Sequence, residues 1–212
     1  MIKLRALILG VLVFLSLVGC FQADHQAEQD GVLFQDDFSE PGNDWGILNS
    51  EDGVIEYTQG GLRIFVRKPY TDLWTVAGKD FSNAEIQVQA TLQNTVVNNS
   101  FGVICGYQNH NRFYMLLVSS DGYFGALKKN GENYSLIGQD QLKYSDGLLE
   151  KGSTYQLRAI CKQGHLLLYV DGERLFDVQE VDDIQGKVGL IAGALSEPGV
   201  DILFDHFIVK EP

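Results

Sequence analysis

Ala84-Glu85-Ile86-Gln87-Val88-Gln89-Ala90-Thr91-Leu92-Gln93 alternates without a break, with Ile86, Val88, Ala90 and Leu92 on one parity and Glu85, Gln87, Gln89, Thr91 and Gln93 on the other. Successive strand residues face opposite sides, so this stretch reads as a β-strand with one face in a core and one in water. Such a strand needs a second layer over its apolar face. On either side the chain continues in the same style from Val32 to Lys210. Short β-branched and aromatic runs, among them Trp74 to Ala77, Phe101 to Gln108, Arg112 to Ser119, Tyr123 to Lys128, Tyr155 to Lys162 and Asp201 to Lys210, are separated by Gly, Asn, Asp and Ser. No stretch carries a helical period. The expected fold is all-β, with two antiparallel sheets stacked as a sandwich.

Turns support that reading. Gln59-Gly60-Gly61, Asp121-Gly122, Asn130-Gly131, Gln163-Gly164 and Asp171-Gly172 each stand between two strand-like runs and read as hairpins. The longest interval without a strand pattern runs from Gln139 to Ser153. A loop of that length in a small sandwich is a candidate for function or for a crossover between sheets.

The first residues belong to a different physical regime. Lys3 and Arg5 precede an apolar run from Ala6 to Leu15, followed by Leu17-Val18-Gly19-Cys20. The run is short for a membrane-spanning helix and suits a signal peptide over 1–19. The tetrapeptide resembles the lipobox of bacterial lipoproteins, which implies acyl chains on Cys20. Residues 20–31 are polar and read as a tether, and 32–212 as the folded domain. This implies an extracytoplasmic protein held to a bacterial membrane, at the cell surface or in the periplasm. Without Lys3 and Arg5, 14 of the 16 basic residues remain against 28 acidic ones, a net charge of −14. A surface of that sign repels nucleic acid.

Beyond Cys20 only Cys105 and Cys161 remain. Each falls on the apolar parity of its strand, with Val103 in one case and with Leu157 and Ala159 in the other. Export favours oxidation, so the two are expected to form a buried disulfide.

Several segments together carry a family resemblance. They are Phe34-Gln35-Asp36-Asp37-Phe38-Ser39 with Trp45, Phe101-Gly102-Val103-Ile104-Cys105 with Asn111-Arg112-Phe113-Tyr114, Leu168-Tyr169-Val170-Asp171-Gly172, and Gly186-Lys187-Val188-Gly189-Leu190 with Phe204-Asp205-His206-Phe207. In these the chain resembles the concanavalin A-like lectin/glucanase superfamily, and within it laminin-G-like and 3-keto-disaccharide-hydrolase-type domains. The resemblance implies a jelly-roll sandwich from Phe34 to Val209 that hosts lectins, hydrolases or adhesion modules. It also implies a structural calcium near the terminal strands, with Asp36, Asp37 and Asp205 as oxygen ligands. Gly106 stands where similar domains often show Arg.

The residues offer little catalytic machinery. Glu180-Val181-Asp182-Asp183-Ile184-Gln185 superficially resembles the acid pattern of laminarinase-like enzymes, but Gln185 replaces the acid/base residue that glycoside hydrolysis requires. His25, His110, His165 and His206 have no nucleophile elbow or paired Cys beside them. Sugar binding needs aromatic faces and planar polar groups. Trp74, Gln87, Gln89, Tyr107, Asn109, Arg112, Tyr114 and Tyr123 are the candidates, with Tyr134 at the rim. The expected function is non-catalytic glycan binding, followed by a structural or protein-binding envelope module and then by a glycan-active hydrolase.

Overall fold

The computed structural model describes residues 31–149, 154–179, 182 and 184–212. Cys20, His25, the signal peptide and most of the tether lie outside the described residues, as do Glu180, Val181 and Asp183.

The chain forms sixteen strands: β1 (Val32–Asp36), β2 (Leu48–Asn49), β3 (Gly53–Thr58), β4 (Gly61–Val66), β5 (Thr71–Phe81), β6 (Ala84–Leu92), β7 (Asn99–Asn109), β8 (Arg112–Val118), β9 (Tyr123–Asn130), β10 (Asn133–Leu136), β11 (Lys143–Tyr144), β12 (Thr154–Lys162), β13 (His165–Val170), β14 (Glu173–Gln179), β15 (Gly186–Ala194) and β16 (Val200–Lys210). Nine build one sheet in the order β14-β13-β12-β6-β16-β4-β3-β2, with β1 on β16. Seven build the other in the order β10-β9-β8-β7-β15-β5, with β11 on β9. All pairings are antiparallel, and the chain passes repeatedly from one sheet to the other, as in a jelly roll. The expected two-sheet sandwich is the observed one.

The opening alternation sits at the centre of the nine-stranded sheet, where β6 lies between β12 and β16. Ile86, Val88 and Ala90 are fully buried, and the polar parity of β6 faces outward. Opposite them, Phe101, Val103, Leu116 and Leu190 of the seven-stranded sheet complete the core. Burying such side chains contributes about 1.5–3 kcal/mol each, so the two inner faces hold the layers together. Cys105 of β7 and Cys161 of β12 add a covalent tie between the sheets, with Cα atoms 6.4 Å apart. The expected disulfide is present.

Three sequence expectations are corrected. Trp74 to Ala77 is only the middle of β5, whose polar ends disguised its length. The Gln139 to Ser153 interval contains a strand, β11, which lies along β9 by pairing Lys143 with Phe124 and Tyr144 with Tyr123. Strict alternation along the last strand would put Asp205 on the face of Phe207, and the structure does not. A bulge between Asp205 and Ile208, with His206 at φ 53°, shifts the parity, so Phe207 is buried and Asp205 turns outward.

Candidate functional site: the concave face of the seven-stranded sheet

The outward parity of the seven-stranded sheet is apolar. Ile104, Phe113, Met115 and Ile191 form a second buried cluster there, partly covered by Trp74, Tyr107, Leu117 and Leu127. Sheet curvature makes this possible. Trp74 on the edge strand β5 reaches Phe113 on β8, three strands away, with ring centroids 5.4 Å apart, and Tyr107 meets the same ring at 5.4 Å.

Beside this aromatic wall lies an open groove of about 1100 Å³. Met115, Leu117 and Leu127 line its interior. Its mouth is at the strand ends where β5, β7 and β9 begin and β8 and β15 finish, and there Asp72, Asn99, Ser100, Ser119, Asp121 and Tyr123 gather. β11 supplies the rim through Lys143 and Tyr144, preceded by Gln141 and Leu142. Tyr123 and Tyr144 are both exposed, with centroids 5.3 Å apart.

Asp72 extends over Gly193, where a Cβ would lie 2.1 Å from its Oδ1. It accepts a hydrogen bond from Tyr134, whose hydroxyl in turn accepts one from Lys129 Nζ at 3.1 Å. Tyr134 stands at the diagonally opposite corner of the sheet, so curvature brings the two edges within side-chain reach. Burial pushes the Asp72 carboxyl above the ordinary carboxylate range, while the Lys129 charge and the Tyr134 bond pull it down. Nearby, the Gln139 amide is sealed against Gly125 with neither its oxygen nor its nitrogen hydrogen-bonded.

The binding residues expected from sequence do not form one cluster. Trp74 and Tyr107 lie on the concave face, packed on Phe113, and Tyr123 lies at the groove mouth. Gln87 and Gln89 sit on the outer face of the other sheet, where Gln87 donates to Glu85 at 2.6 Å. Asn109 caps its own turn by accepting from the Asn111 amide at 2.9 Å, and Arg112 is exposed beside it. Tyr114 is corrected outright. It shares Cys105's parity, is buried between the sheets, and presents no face to a ligand. Gly106 has a local cause: its φ is +58° and a Cβ would lie 2.8 Å from the Ile184 carbonyl, so no larger residue fits.

Asp36, Asp37 and Asp205 do not converge. Asp36 is buried and accepts from the Phe38 amide, Asn43 Nδ2 and Trp45 Nε1, each at 2.8 Å. Asp37 is exposed and turned to Ser39, while Asp205 accepts from the His206 amide at 2.7 Å. Both Asp36 oxygens face N–H donors, which suits a carboxylate capping a corner rather than a cation ligand. Among the described residues no three acidic, His or Cys side chains could hold a metal. These residues therefore do not fit calcium. Asp182 is also accounted for: it is exposed and paired with Lys128 at 2.5 Å, which holds its carboxyl below the usual range.

No protein-family model matches the chain. No curated protein matches it either. Solved structures do. A carbohydrate-binding module, CBM66 from Bacillus subtilis, superposes with a TM-score of 0.64 at 14% identity, covering 79% of this chain and 95% of that one. A protein with a galectin-like fold from Bacillus subtilis gives 0.59 at 12% identity over 85% and 96%. A family 43 glycoside hydrolase from Bacillus licheniformis gives 0.61 at 16% over 84% of this chain and 39% of its own. At these identities the likeness is one of fold, a lectin-like β-sandwich.

Proposed function

We propose that the domain is a non-catalytic, extracytoplasmic glycan-binding module that holds its ligand in the concave groove, and that acyl chains on Cys20 tether it to a bacterial membrane. The carrying observation is the exposed Tyr123–Tyr144 pair beside Asp121 and Gln141 at the mouth of an open groove. Exposed rings supply platforms for the apolar faces of sugars, and carboxylates and amides accept from or donate to their hydroxyls. The similar folds of a carbohydrate-binding module and of a galectin-like protein support the reading.

Glycan-array screening followed by calorimetry is the test. Binding that falls at least about tenfold in Tyr123→Ala/Tyr144→Ala, about 1.4 kcal/mol, supports the groove. Binding unchanged in that variant moves the site elsewhere. Metabolic labelling with an alkyne fatty acid checks the tether: label should enter the wild-type protein and be absent from Cys20→Ala.

A hydrolytic reading rests on Asp72, a half-buried acid in the groove whose carboxyl is pushed up by desolvation. Turnover on a disaccharide panel, abolished in Asp72→Asn, would favour it.

A further inference from the structure

The groove has two chemistries arranged along one axis. Its polar groups come from the strand ends: Asp72 at the start of β5, Ser100 near the start of β7, and Asp121 in the turn before β9. Two to four residues further along the strands the lining becomes aliphatic, with Leu117, Met115 and Leu127, and the Tyr134 hydroxyl that reaches this part is already engaged by Lys129 and Asp72. A groove built for a bare oligosaccharide needs hydroxyl partners along its whole length, because each unpaired hydroxyl taken from water costs about 1–3 kcal/mol. Here the inner part would leave such hydroxyls unpaired. It suits methylenes.

We propose that the ligand is an amphipathic glycoside, with its sugar at the mouth between Asp72, Asp121 and the tyrosine pair and an alkyl or acyl substituent running inward over Leu117, Met115 and Leu127. This rests on the glycan reading of the same groove and names the class of glycan. The acidic mouth favours an uncharged polyhydroxyl head, whose hydroxyls donate to the two carboxylates, over an anionic one. The aromatic pair Trp74 and Phe113 packs on the same face beside these residues.

Calorimetry with octyl β-glucoside, octyl β-galactoside and octyl β-maltoside, each below its micelle-forming concentration and each beside its methyl counterpart, tests the proposal. Octyl tetraoxyethylene serves as a sugar-free control. At least one octyl glycoside should bind about tenfold or more tightly than its methyl counterpart, since each methylene leaving water contributes substantially. Leu117→Ser should weaken the octyl glycoside more than its methyl counterpart and so reduce that advantage, while Asp121→Ala should weaken both glycosides and spare the control. Equal binding of octyl and methyl glycosides would overturn the amphipathic class and keep the glycan reading. Equal binding of the octyl glycosides and the sugar-free control, with no effect of Asp121→Ala, would overturn the glycan reading. If no probe binds, both fall.

Discussion

The outward faces of the two sheets are built on opposite principles. On the nine-stranded sheet ion pairs run among the outward side chains and cover outward aromatics: Arg63 bonds both oxygens of Asp201 at 2.8 and 2.7 Å and Glu56 at 3.0 Å and lies over Phe65, and Arg158 pairs with Glu85 at 2.9 Å and lies over Tyr169. On the seven-stranded sheet the corresponding face is apolar, curved, and partly roofed by its own aromatics and by the β11 segment. The first face is finished. An exposed apolar concavity that the chain leaves only half covered is a binding surface by default. On the reading proposed above, recognition falls to the second face.

Separating the sheets should have the largest effect. Cys105→Ala/Cys161→Ala removes a tie across a sequence separation of 56 residues, and the unfolded chain regains the corresponding loop entropy. Denaturant unfolding should show a loss of about 2–4 kcal/mol. A loss under about 1 kcal/mol would mean that the inner faces alone fix the layers.

Filling the recognition face comes next. A Cβ on Gly125 would meet Gln139 Nε2 at 2.2 Å and Leu142 Cδ2 at 2.8 Å, both ends of flexible side chains. Gly125→Val should displace the β11 segment, cost about 1–3 kcal/mol by overpacking, and abolish ligand binding. Retained affinity would detach that segment from the site. On the charged face, Arg63→Met should cost about 1 kcal/mol or less, because its pairs are partly exposed, and should leave binding unchanged.

This asymmetry explains what could be read from the chain. The β6 alternation revealed the fold because its outward parity is polar, and period-two polarity is visible in one dimension. The recognition face is apolar on both parities: Phe113-Tyr114-Met115-Leu116-Leu117 shows no alternation, so Tyr114, which points into the core, could not be told from Phe113 and Met115, which point into the groove. Asp72 and Tyr134 are 62 positions apart and meet only because the sheet curves. Gln87 and Gln89 belong to the clearest strand, and that clarity belongs to the wrong sheet for the groove. Asp205 was misplaced by a single-residue bulge, which reverses parity with no mark in the sequence. Tyr144 could have been found, since an aromatic in the long interval after Gly138 had no strand to pack in.

The smallest predicted effect gives the contrast its sharpest form, because the two faces should respond to pH with opposite signs. Hydrogen bonding to Arg158 holds the Glu85 carboxyl below the usual range. Its contribution to stability is therefore complete above the unfolded value of about 4.3 and is lost as pH falls through the folded value. Burial raises Asp72 instead, so its contribution is complete below about 3.9 and is lost as pH rises through the folded value. Thermal melts across pH 3–7 should show Glu85→Gln destabilising most at pH 7 and least at pH 3. Asp72→Asn, whose amide oxygen still accepts from Tyr134, should stabilise at pH 7 and lose that gain toward pH 3. A gain at pH 7 accompanied by weaker glycoside binding would make Asp72 a group whose folding cost is accepted for recognition. Parallel pH responses of the two variants would remove the electrostatic distinction between the faces and leave only the difference in apolar area.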